Sequence, residues 1–335
     1  MQISVVIPTC DRRARLLSLL RDLDRSAYPL NEVIIVDAGD DKLSPAEYSR
    51  FSNLDIQYVS SERSVCIQRN TGIRMARSPW IFLCDDDIEI AGDYLQGLVN
   101  HIHSFPETGA VSGLWLEKVN GEWKASHPVV STGALVWKYI FGLGIWGEID
   151  CAGNSIIIKK IRAYYKRKGN HISKAGWPVN TNFAGDYIVC PVYSLGASLV
   201  KKEWLIRSPY DEVLDRQGIG DNYGVIMGFP VPAIQVVNKV VVYHHHEQTN
   251  RLKESLQYYR RVLALAYFIR IRQALPHVKK HRLIWSLAGN FFRFLLAGDF
   301  IMIKATLRSI WQITFDTNPY RIAKQEGRKV AEPVL

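Results

Sequence analysis

The sequence predicts an α/β fold, a mostly parallel sheet flanked by helices, followed by a C-terminal helical extension. Three observations carry that expectation. Short apolar, β-branched runs alternate with helical stretches through the first hundred positions. The residues that follow those runs are polar and rich in carboxylates, as at the ligand-binding end of an open α/β sheet. From residue 251 onward the periodicity is helical and the charge strongly basic.

Residues 3–8 (ISVVIP) form the first apolar run, and residues 11–25 carry Leu16, Leu19, Leu20 and Leu23 at helical spacing. Glu32–Asp37 (EVIIVD) is a second buried strand, closed by a turn at Gly39. Ile56–Ser60 reads as a third strand, residues 65–76 as a helix and Trp80–Cys84 (WIFLC) as a fourth strand. Strands apolar on both faces need helices on both faces, which implies parallel pairing. Residues 101–190 place Gly, Trp and Tyr irregularly, as substrate-covering loops do. A helical start near Lys201, a Gly-rich stretch at 218–228 and a strand over 233–243 follow.

Charge is unevenly spread along the 335 residues, whose formal total is +10. Residues 1–100 are net −4, 101–250 net +3 and 251–335 net +11. With 47% hydrophobic and 22% charged residues the composition is that of a globular protein and excludes long disorder. No recognised nucleic-acid motif accompanies the basic excess, so nucleic acid is not the expected partner. The five cysteines are scattered and never spaced as CxxC, which fits a reducing compartment better than a disulfide framework. No basic segment precedes the first strand, so a secretory leader is not expected. Apolar stretches at 129–146 and 283–307 are each interrupted by charge, so membrane contact is expected only along the surface.

The sharpest feature is Cys84-Asp85-Asp86-Asp87 directly after an apolar strand. Three adjacent carboxylates repel each other by roughly 1 kcal/mol or more per close pair unless something neutralises them. In extended chain Asp85 and Asp87 point the same way and can share one hard divalent cation, whose open positions diphosphate oxygens fill. A solvated acidic turn is the plain alternative.

At this point the chain resembles a known family. Val5–Arg12 (VVIPTCDR), Val36-Asp37-Ala38-Gly39-Asp40, residues 62–72 (ERSVCIQRNTG) and the Asp-x-Asp at 85–87 recur in the order found in family 2 glycosyltransferases of the GT-A fold. That family transfers sugar from a nucleotide-sugar donor with inversion of the anomeric centre. The resemblance implies a Rossmann-like, mixed and mostly parallel sheet over residues 1–250, with a nucleotide-binding half at 1–100 and an acceptor half at 101–250. Pro8, Thr9, Asp11, Asp37, Arg69, Asp85 and Asp86 would hold the nucleotide sugar. Asp85 and Asp87 would hold Mg2+ or Mn2+. Residues 192–204 (VYSLGASLVKKEW) resemble the strand, small-residue turn and helix closing the acceptor side. Tyr210-Asp211-Glu212 and then Gly220-Asp221-Asn222 resemble the family's Asp-Glu and Glu-Asp pairs, which makes Asp221 the catalytic base. Its other reading is a helix N-cap after Gly220. Ala38 and Gly220 stand where the family often has acids.

His244-His245-His246 ends the last strand, where the family places a histidine that ligates metal or touches diphosphate. Alternation groups His244 with His246, and His244 is the first candidate. The region 251–335 is read as a basic amphipathic extension. Its helices either lie on an anionic membrane or dock on the catalytic domain with solvated basic edges, and both readings stand.

The expected function is metal-dependent, inverting transfer of a sugar from a nucleotide-diphosphate donor to a hydroxyl of a glycan or lipid-linked glycan, in cell-surface polysaccharide synthesis. The expected location is cytoplasmic, peripheral on the inner face of the membrane. A sugar-phosphate nucleotidyltransferase would want a Gly-rich phosphate loop after the first strand, and residues 8–13 (PTCDRR) hold no glycine. A non-catalytic nucleotide-sugar-binding scaffold is the other rival, and the intact Asp85-Asp86-Asp87 counts against it.

Overall fold

The structure is a computed structural model that describes residues 1–150, 153–245, 252–272 and 275–335. The chain opens with β1 (Ile3–Thr9), α1 (Arg13–Asp24), β2 (Glu32–Asp37), the single-turn α2 (Pro45–Tyr48), β3 (Ile56–Ser60), α3 (Val65–Met75) and β4 (Trp80–Cys84). These elements fall where the sequence puts them. β3, β2, β1 and β4 are neighbours in that order and pair in parallel. The reason is visible in the burial. Ile3, Val5 and Ile7 join one hydrophobic cluster with Leu16, Leu19, Leu20 and Leu23 of α1. Val6, Ile34 and Val36 join a second cluster on the opposite face. A strand buried on both sides has no polar alternation to show.

The middle of the chain is more regular than its composition suggests. It holds β5 (Ile88–Ile90), α4 (Tyr94–Ser104), β6 (Ala110–Val119), β7 (Glu122–Lys124), α5 (Thr132–Phe141), β8 (Ile145–Trp146) and α6 (Ile156–Lys168). β9 (His171–Ile172), β10 (Pro178–Asn180), β11 (Tyr187–Cys190), β12 (Ala197–Lys201), α7 (Lys202–Arg207), α8 (Asp221–Ile226) and β13 (Ile234–His244) follow. β8, β10 and β9 make a small separate sheet. The main sheet continues β4-β12-β6-β13-β11, with β12 antiparallel to both β4 and β6. Pairing is therefore mixed rather than parallel throughout, because β12 comes from residue 197 onward and enters the sheet reversed. In residues 192–204 the small-residue turn precedes the strand instead of following it.

The last quarter forms α9 (Glu254–Ile271), α10 (Lys280–Leu296), α11 (Phe300–Thr314) and α12 (Pro319–Gln325). Tyr259, Val262, Leu263 and Phe268 of α9 belong to the same cluster as Leu205, Tyr210, Tyr223 and Ile226. The extension thus docks on the catalytic region through α9, while α10 and α11 form a hairpin with many apolar side chains exposed. Among the described residues no helix is long and apolar enough to cross a membrane. The four described cysteines carry free thiols, and Cys151 lies outside the described residues.

Phe268 is fully buried and its ring occupies the space that a side chain at Gly224 would need. Phe268→Ala is expected to cost about 3–5 kcal/mol in urea unfolding. A loss below about 1 kcal/mol would show that α9 folds apart from the sheet.

Candidate active site

Because β1 and β4 are parallel neighbours, Thr9 and the residues after Cys84 emerge at the same end of the sheet. Asp86 is buried between them. Thr9 Oγ1 donates to Asp86 Oδ2 at 2.7 Å, and the Arg12 guanidinium reaches Asp86 Oδ1 at 2.9 Å and Asp87 Oδ2 at 3.0 Å. Arg12 is therefore the cation that the triple acid requires. Burial and the nearby Asp87 charge still push the Asp86 carboxyl up to about 6. Burial also works against the charge on Asp87, but His244 and Arg12 outweigh it and hold that carboxyl below its ordinary value.

Asp85 turns the other way. Asp86 and Asp87 lie in a turn rather than in extended chain, so Asp85 and Asp87 do not share a partner. Asp85 Oδ1 accepts from Arg69 at 2.5 Å, and its amide donates to the Gly196 carbonyl at 2.7 Å. A β-carbon at Gly196 would sit 2.0 Å from Asp85 Oδ2, so the small residue is required for the carboxylate to fit. Arg69 is buried, stacks on the Tyr210 ring at 5.1 Å, and donates its second terminal nitrogen to Asp221.

Helix α3 supplies this arrangement from three successive buried polar residues, fanned out by the 3.6-residue turn. Gln68 donates to the Thr9 and Val36 carbonyls at 2.7 and 2.8 Å, fixing the tips of β1 and β2. Asn70 exchanges hydrogen bonds with the Tyr210 backbone at 2.9 and 3.0 Å. Between them Arg69 links Asp85 to Asp221.

Asp221 is the first helical residue of α8, and Gly220, with φ +94°, is its N-cap. The capping alternative for Asp221 is thereby replaced by one position. Only glycine fits at 220, since a β-carbon there would lie 2.7 Å from the Ala264 methyl of α9. Burial pushes the Asp221 carboxyl up to about 6, further than Arg69 pulls it down. That poises it as a base near neutrality.

Asp11 and Asp37 sit beside this group and outside it. Asp11, at φ +55°, accepts from the Asp40 amide at 2.7 Å and pairs with Arg63 at 3.0 Å, and the Asp40 amide first of all holds its carboxyl below the ordinary range. Asp37 is buried and accepts from the Gly39 amide at 2.6 Å and from the Tyr58 hydroxyl. Both carboxylates shape the turns at the carboxyl ends of β1 and β2.

Of the histidines, His244 stands beside Asp87, Nε2 to Oδ1 at 3.5 Å, with Glu117 at 3.4 Å on its other nitrogen. Burial disfavours its charge, but Asp87 and Glu117 raise its pKa to about 9. His245 turns to Glu89 at 2.8 Å, and His246 lies outside the described residues. Among the described residues no three His, Cys, Asp or Glu side chains converge as a complete metal cage. Asp87 and His244 are residue types that could ligate one divalent ion together, leaving further positions to a ligand's oxygens.

Two cavities meet here. One, of about 250 Å³, is lined by Pro8, Thr9, Arg12, Arg69 and all three acids at 85–87. The other, of about 580 Å³, is walled by Trp115, Trp146, Trp177, Tyr193 and Tyr223 and floored by Asp221. Asp85 and His244 line both. Tyr223 and Asn222 line the larger cavity, with Tyr223 Oη and Asn222 Oδ1 buried behind it without a hydrogen-bond partner among the described residues. The sequence reading missed Arg12, Glu117, Arg261 and these aromatic walls. The irregular Trp and Tyr of residues 101–190 were a signal for the walls, while Arg12 stood in the motif at residues 5–12 with no sign of its partner.

Residues 4–161 match the family model described as Glycosyl transferase family 2. The match spans a little under half of the chain, and over that stretch the chain is similar to this family. A relative in Bacillus subtilis (strain 168), the uncharacterized glycosyltransferase YwdF, is 28% identical over 106 residues, which cover 31% of this chain and 39% of that relative. Among solved structures, residues 1–349 of S. aureus TarS in complex with UDP-GlcNAc are similar, with a TM-score of 0.53 at 13% identity over 98% of this chain and 93% of that one. The mannosyltransferase PcManGT from Pyrobaculum calidifontis, in complex with GDP-Man and Mn2+, gives a TM-score of 0.50 at 15% identity over 94% and 87%. At these identities the likeness shows the fold, which is the GT-A arrangement of a central sheet flanked by helices.

Arg69→Met would leave the buried Asp221 and the half-buried Asp85 without their shared cation. It is expected to cost about 3–5 kcal/mol in urea unfolding. A change under about 1 kcal/mol would mean that Asp85 and Asp221 find other neutralisation.

Proposed function

We propose that the protein is a metal-dependent, inverting glycosyltransferase that moves a sugar from a nucleotide-diphosphate donor to a hydroxyl of a glycan or lipid-linked glycan. The observation that carries this reading is the junction of the two cavities at Asp85, with Arg69 joining it to Asp221. In the smaller cavity Pro8, Thr9, Arg12 and Asp86, with Asp11 and Asp37 shaping its turns, hold the nucleotide diphosphate. Asp87 and His244 would hold Mg2+ or Mn2+, which would supply charge neutralisation for the departing diphosphate. In the larger cavity the aromatic walls stack on acceptor sugar rings.

Asp221 takes the proton from the acceptor hydroxyl, and that oxygen forms the new bond to the anomeric carbon as the bond to the diphosphate breaks. One displacement inverts the centre, so no nucleophilic side chain is assigned. Nucleotide-sugar complexes of TarS and PcManGT support the donor class. The proposed setting is cell-surface polysaccharide synthesis, with the protein held peripherally at the cytoplasmic face of the membrane.

A thermal-shift panel of nucleoside diphosphates with Mn2+ or with EDTA tests the donor site. Stabilisation by at least one nucleotide only when metal is present is expected, and its absence throughout refutes the donor assignment. Asp221→Asn is expected to keep that stabilisation while losing transfer by about two to four orders of magnitude. Transfer retained in that variant would assign the base elsewhere. Because the base works ionised, kcat should rise with pH to a plateau above about 6. A rate that falls across that range contradicts the role.

A further inference from the structure

Helices α5 and α10 enclose a groove of about 390 Å³ that belongs to neither cavity of the active site. Its walls include Ala134, Trp137, Leu143 and Leu296, and two cations, Lys138 and Arg293, line it with no carboxylate. Lys138 donates to the Gly144 carbonyl at 2.9 Å, and Arg293 lies 4.8 Å from the Phe294 ring centroid. Among the described residues neither is in an ion pair. Burial, and then the charge of Arg293, lower the pKa of Lys138. Two cations gathered in a partly apolar groove without a counter-charge are suited to an anion. An Arg fork beside a Lys point charge is the combination that binds phosphate.

The same groove opens onto an apolar rim. Leu296 is 83% exposed, and Phe300 and Ile301, across the Gly298 turn, are 77% and 63% exposed. Trp285 and Phe292 continue this surface along α10, and Leu307 and Trp311 continue it along α11. Contiguous exposed apolar surface of this kind marks an interaction site. Asp299, the one acid of the turn, caps α11 through the Met302 amide at 3.0 Å. The segment around it, 251–335, carries net +11.

We propose that the α10–α11 turn inserts into the boundary of an anionic bilayer and that Lys138 and Arg293 bind the phosphate of a lipid headgroup in the groove. This deepens the peripheral-membrane part of the proposed function and rests on it. Charge complementarity selects the lipid, because the apolar rim and the cations lie on one surface, as in interfacial helices. The geometry also ties that surface to the reaction. Helix α10 accepts the Trp137 indole at the Gly289 carbonyl (3.2 Å) and the Trp177 indole at Ser286 Oγ (2.9 Å). Trp137 lines the groove and Trp177 lines the acceptor cavity, so one helix holds the lipid site and the acceptor wall in fixed relation.

Flotation of the full chain with phosphatidylcholine vesicles, with and without phosphatidylglycerol, tests the proposal. The wild-type protein is expected to float with the anionic vesicles. The neutral pair Lys138→Gln/Arg293→Gln is expected to lose about tenfold in that binding, and Lys138→Glu/Arg293→Glu more. Leu296→Asp/Phe300→Asp is expected to weaken binding to both vesicle types. Circular dichroism and the nucleotide-dependent thermal shift should be unchanged in each variant, which separates loss of lipid binding from loss of folding. Equal flotation of wild type and both charge pairs overturns the groove while the membrane reading stands. No flotation of wild type overturns both. Displacement by millimolar inorganic phosphate at matched ionic strength would identify a free-anion site and overturn the lipid assignment.

Discussion

Arg69 carries a guanidinium into the buried junction of α3, the β4 tip and α8, where carboxylates 16 and 152 residues distant in sequence converge on it. A buried cation without partners costs several kcal/mol, so the fold is stable only when both acids arrive. The flanking residues of the same helix make that arrival specific. Gln68 ties down the ends of β1 and β2, and Asn70 ties down the turn that starts at Tyr210. One turn of helix thus couples Asp85 to Asp221, and the groups proposed to react are placed by the interaction that stabilises the core.

The C-terminal extension takes part in this arrangement rather than trailing behind it. Asp215, fully buried in the loop that leads to Asp221, accepts from Tyr320 at 2.5 Å and faces Arg260 at 3.4 Å. Arg260 also pairs with Glu332 at 2.9 Å, and Tyr267 donates to Asp211 at 2.6 Å. The loop carrying the base is clasped from outside by α9, α12 and the residues that follow them. Part of the basic excess that the sequence concentrates after residue 251 is therefore spent inside, as Arg260.

How much of this was legible follows from what each signal depends on. The strands β1 to β4 were readable because burial on both faces leaves uninterrupted apolar runs, a property of adjacent residues alone. The triple acid was readable for the same reason. The direction of each of its carboxylates was not, because residues 86 and 87 form a turn and the alternation of extended chain does not apply. β12 entered the sheet reversed, which depends on pairing partners as far away as Cys84 and Ser112. Arg12 and Glu117 escaped notice because a side chain's partner across space leaves no local pattern. The aromatic cavity walls were visible as composition, but their convergence needed the fold.

The central claim is that the pair of cavities joined at Asp85 receives a donor nucleotide on one side and an acceptor on the other. A crystal structure of the protein with a nucleoside diphosphate and Mn2+ tests it most directly. The diphosphate is expected in the cleft between Arg12, Asp87 and His244, with Asp221 left open to the aromatic cavity. Nucleotide bound in the aromatic cavity itself, or diphosphate bound away from Asp85 and Asp87, would contradict it.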